Sequence, residues 1–154
     1  MQAFVIRAGL VVALLLPAGC GDGNSSSSQT ATFKTGFSPA VNQLKATSQA
    51  IGRAIEHASS QTDAQIASTF HGLAQTWQSH VSQLETLKPP SNLSATFNTL
   101  TAAATRAETD LNAIVVAAQT HNATAAEQAS ASLVTDVASA KSASTTLTNK
   151  LGIK

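Results

Sequence analysis

The chain has 154 residues, nine Lys/Arg against eight Asp/Glu, and only 11% charged residues. Its single cysteine excludes an intramolecular disulfide, and a formal charge of +1 with no basic stretch gives nucleic acid no footprint. The length suits one domain. Ala, Ser, Thr and Gln occupy most positions that Lys and Glu fill on an ordinary soluble surface.

Met1 to Arg7 contains one early cation, Arg7. Ala8 to Leu16 is an uncharged apolar run, and Pro17-Ala18-Gly19 is small and turn-prone. This is the layout of a secretory signal peptide. The apolar run is shorter than the ~20 residues that span a bilayer. It ends on Leu16-Pro17-Ala18-Gly19-Cys20, which resembles the lipobox of bacterial lipoproteins. Ala18, Gly19 and Cys20 match that pattern, while Pro17 stands where the family has Leu. The resemblance covers the first 20 residues or so. It implies a diacylglycerol thioether on the Cys20 sulfur, cleavage before Cys20, and no other cofactor. Two acyl chains anchor stably where one does not. The expected location is therefore the outside of the cell membrane, or the outer membrane, facing away from the cytoplasm. Removing residues 1–19 takes Arg7 with it and leaves a formal charge of zero.

Residues 20–36 open on Cys20 and continue with Gly-Asp-Gly-Asn, a Ser run and Gln-Thr-Ala-Thr. Up to Thr32 no apolar residue exceeds Ala, so the segment reads as a flexible tether, with a reach of about 20 Å over a dozen residues. The domain is then expected over 37–154.

A seven-residue apolar repeat dominates from Ser38 onward. Ser38 suits an N-cap and Pro39 a first helical turn. The first stripe is Val41, Leu44, Ser48, Ile51, Ile55 and Ala58. The second is Ile66, Phe70, Leu73, Trp77, His80 or Val81, Leu84 and Leu87, closed by Lys88-Pro89-Pro90. The third is Leu93, Phe97, Leu100, Ala104, Ala107, Leu111, Ile114 and Ala118. The fourth opens on Thr124-Ala125-Ala126-Glu127, with capping-box spacing, and continues Leu133, Val137, Ala140, Ser144, Leu147 and Leu151. Gly152 suits a terminator. The expected fold is all-α: an antiparallel up-down-up-down four-helix bundle behind a signal peptide and linker. Its small seam residues allow either a monomer or a weak homodimer.

Chemistry is sparse. His57, His71, His80 and His121 include no pair three or four apart, and no Glu-x-x-His motif occurs. In the antiparallel arrangement His57, Asp63 and His121 share one end of the bundle, where solvated helix ends are the simplest account and no metal site is assigned. His80 is offered a seam position that Val81 also fits. Trp77 lies on the core stripe, with Phe70 two turns earlier and Phe97 available from the third helix. Phe70, Trp77, His80 and Phe97 are therefore the candidate ligand-binding residues. Arg106 and Asp110 have i,i+4 spacing. Glu56, Glu85, Glu127 and Asp136 look isolated. No nucleophile elbow or phosphate loop is present, and no catalytic residue is assigned.

These features lead to a non-enzymatic, membrane-anchored envelope lipoprotein, serving as a structural module or binding an envelope protein. The alternative is a module that binds an apolar small molecule, lipid or haem within the bundle, near Trp77 and His80.

Overall fold

The computed structural model describes residues 25–153. The lipobox and Cys20 lie outside the described residues. Four helices run in order: α1 Ser25–His57, α2 Asp63–Glu85, α3 Ser91–Gln119 and α4 Ala123–Lys150. A single 3-10 turn, Ala58–Ser60, follows α1. The described residues contain no strand. The connections are short, so consecutive helices are antiparallel neighbours. No helix among the described residues is long and apolar enough to cross a membrane.

The start of the domain is the largest correction to the sequence reading. Ser38 is not an N-cap, because α1 already runs through it and Pro39 lies inside the helix. The segment read as the second half of a tether is helical from Ser25. Phe33 is the reason. It is 2% exposed, with its ring 5.3 Å from Phe37 and 5.4 Å, edge-on, from Phe97 of α3. Burying an aromatic side chain stabilises by roughly 1.5–3 kcal/mol. One helical turn on either side can be ordered by that contact. Lys34 Nζ also donates to the Gly152 carbonyl at 3.1 Å, fastening the early part of α1 to the end of α4. Gly36 gives α1 room beside the α2–α3 connection, where a Cβ would come within 2.7 Å of a Leu87 methyl.

The helix ends follow from local chemistry. Thr62 caps α2 in a capping box with Gln65. Asn122, not Thr124, caps α4, accepting from the Ala125 N–H at 3.0 Å. Thr124 lies two residues too late because His121 has already turned the chain. His121 adopts φ 54°, its N–H donates to the Ala118 carbonyl, and the next N–H, on Asn122, donates to Ala117. These are the bonds of a Schellman stop. Gly152 makes the same stop at φ 59° after α4 and folds Ile153 back onto the core.

The core follows the repeat. All eight predicted stripe residues of α3 are buried. In α2 the seam is Phe70, Ala74, Trp77, Val81 and Leu84. Val81 takes the position that His80 was also offered, and Leu73 is only half-buried. The buried line of α1 is Phe33, Phe37, Ala40, Leu44, Thr47, Ile51 and Ala54. It is rotated from the expected stripe, leaving Val41, Ser48 and Ile55 half-buried at its edge. Thr47 is tolerated there because its hydroxyl donates to the Gln43 carbonyl at 3.1 Å. In α4, Leu133, Ala140, Leu147 and Leu151 are buried. The expected partners Val137 and Ser144 are again only half-buried. Helix α3 is the spine, packed along both α2 and α4, while α1 meets α4 least among the neighbouring pairs.

Candidate functional site

Val41 and Ser48 of the α1 stripe, and Val137 and Ser144 of the α4 stripe, line a cleft between α1 and α4. Its volume is about 620 Å³, within the range of small-molecule sites. Leu44 lies at its floor, with Trp77 of α2 and Leu100 of α3 buried beneath, and Phe37 and Ile153 lie at one end. Small residues border the gap: Ser48 on α1 and Ala140 and Ser144 on α4 all have short side chains.

Trp77 is fixed in place. Its indole is fully buried, and Nε1–H donates to the Ala104 carbonyl of α3 at 2.7 Å. The polar group of the ring is thus satisfied inside the core, and its apolar face supports the cleft.

The other candidate residues do not join it. Phe70 is 1% exposed and fills the core. Phe97 is occupied by Phe33. His80 is half-buried outside the cleft, with Nδ1 buried and lacking a hydrogen-bond partner. Of the four predicted residues, the structure brings Trp77 alone to the cleft wall.

The rim carries two cations and no anion. Lys45 on α1 and Lys141 on α4 both border the cleft, and no Asp or Glu does. Ser38, Asn42, Gln49 and Thr148 add polar groups along the walls. The sequence analysis missed Lys45 and Lys141. The signal was present: both follow a stripe residue directly, on helices that are neighbours in an up-down-up-down bundle.

Two polar clusters lie elsewhere. At one end of the bundle His121 Nδ1 and Asp63 Oδ2 are 2.6 Å apart and largely exposed. No group of three His, Cys, Asp or Glu side chains converges there or elsewhere among the described residues. On the α3–α4 face, Arg106 Nε donates to Asp136 Oδ1 at 2.8 Å. The expected partner within α3, Asp110, instead faces Asp136 from the same side. Burial first, and then the charge of Asp136 and a hydrogen bond with it, raise the Asp110 pKa, against the opposing pull of Arg106. Asp136 is thus not isolated, which only the α3–α4 register could reveal.

Comparison with protein-family models, with curated proteins and with solved structures gave no match. The functional reading therefore rests on the cleft and its surroundings.

Proposed function

We propose that the chain is an exported, lipid-anchored, non-enzymatic envelope module whose helical bundle binds an apolar small molecule in the α1–α4 cleft. The cleft is the observation that carries this reading. It holds about 620 Å³, within the range of ligand sites, with apolar residues at its base and polar groups along its walls.

Surface composition supports the same order of preference. A protein-docking face needs a contiguous apolar patch. The exposed large hydrophobics among the described residues are Val116 and Val134. The Arg106–Asp136 contact fixes the antiparallel register of α3 and α4. It sets these valines about eight residues apart along the bundle, or ~12 Å, on different helices. They do not form a patch.

The test uses the single tryptophan. Titrating the protein with short-chain alcohols and other apolar probes should change Trp77 fluorescence saturably. Ser144→Phe, which fills the cleft wall, should abolish that change while the helical circular dichroism is retained. No saturable response from the wild-type protein across the panel would refute the reading.

A further inference from the structure

We infer that the ligand of this cleft is an anionic amphiphile, whose acid group is held between Lys45 and Lys141 while its apolar body lies along the floor. The inference rests on the small-molecule reading above and adds the charge and shape of the ligand.

The register of the bundle carries the argument. The Lys34–Gly152 hydrogen bond joins α1 to α4. The helices are antiparallel, so every step forward from Lys34 is matched by a step back from Gly152. Eleven steps lead to Lys45 on one side and to Lys141 on the other. With equal rise per residue the two lysines stand at the same level, facing each other across the cleft mouth. Counting through the three helix connections gives the same level, and places Trp77 and Leu100 next to it on the floor.

Neither lysine has a salt-bridge partner among the described residues. The cleft lining contains no carboxylate to neutralise them. In a chain with so few charges, two opposed and uncompensated cations over an apolar trough are a specific arrangement. Their field favours an anion at the mouth, and partial exclusion of water beside Trp77 strengthens it. Each ammonium can donate to a different oxygen of one carboxylate, sulfonate or phosphate.

The cleft reaches further on one side of the lysines than on the other, eight residues along α1 to Phe37 against four to Gln49. On the longer side Leu44, Val41, Phe37 and Ile153 supply apolar surface among the polar Ser38, Asn42, Ser144, Thr145 and Thr148. The longer side has the room for an apolar tail, which would run from the lysines towards Phe37 and Ile153. From Lys45 to Phe37 is eight residues, or ~12 Å of helix, which suits a chain of roughly ten carbons.

The experiment compares decanoate with 1-decanol, followed by Trp77 fluorescence and by calorimetry. Both are used below the concentration at which they self-associate. For the wild-type protein, decanoate should bind about tenfold more tightly than decanol, as expected for two partly solvated charge contacts. The preference should shrink at high salt. The K45Q/K141Q double variant should lose it and retain the decanol affinity. Both positions are exposed, so the fold is not at risk. Equal binding of the two probes by the wild-type protein would overturn the anionic assignment and leave the cleft as an apolar site. A preference that survives in the double variant would overturn the role of the lysines. Binding of neither probe would overturn the cleft reading itself.

Discussion

At the residue scale, the α3–α4 carboxyl pair gives the clearest expectation. The folded pKa of Asp110 is raised by burial and by Asp136. The native state thus prefers Asp110 protonated. A raised folded pKa contributes stability that is fully present below the ordinary aspartate value of about 3.9. That contribution is lost as pH rises through the raised folded value. Ionising Asp110 in its partly buried place beside Asp136 therefore costs the folded state stability. Asp110→Asn should raise the melting temperature at pH 7 by a few degrees. The difference from wild type should vanish below about pH 3, where both side chains are neutral. Thermal unfolding across that pH range checks both statements, and a variant no more stable than wild type at pH 7 contradicts them. This effect was illegible in the sequence, because Asp110 and Asp136 meet through the α3–α4 register and not through spacing along one helix.

At the scale of elements, α1 is where expectation and structure part most. Gly, Ser and Thr at its start imply a tether, and Pro39 implies a helix start. Both inferences are local. The contact that overrules them, Phe33 against Phe37 and Phe97, includes one that crosses 64 positions of sequence. Phe33→Ala should therefore destabilise the protein by about 3–5 kcal/mol in denaturant titrations. A residue in a flexible tether would give no change. Because α1 meets α4 so sparsely, its middle part should also exchange amide hydrogens faster than the centre of α3. Hydrogen exchange followed by mass spectrometry reads this directly. Equal protection of Leu44 and Leu111 amides would show that the open seam does not weaken α1.

At the scale of the whole molecule, the proposed anchor and the cleft belong to different parts of the chain. Cys20 lies only five residues before the start of α1. With the helix beginning at Ser25, the spacer between a lipidated Cys20 and the bundle is much shorter than the composition implies. The proposed anchoring predicts that protein extracted from membranes carries a diacylglycerol mass increment and lacks residues 1–19. Cys20→Ala should show neither change and should leave the membrane fraction. Intact-mass measurement of the two proteins decides it.

The sequence by itself determined that the molecule is a bundle of four helices and which residues form its spine. The heptad of α3 is so regular that each of its stripe residues is buried, because a helix covered on two sides buries whatever its repeat presents. It also marked Trp77, the one residue large enough to span the core. Tertiary structure decided what happens at the edges. Whether Val41, Ser48, Val137 and Ser144 close a seam or line a cleft depends on how far apart α1 and α4 are held. That separation is a property of all four packed helices, in which α1 meets α4 least. The pairing of Lys45 with Lys141 and of Asp110 with Asp136 depends on register across helices. A pattern along one helix carries the direction in which each side chain points; it does not carry the length of the gap it must fill.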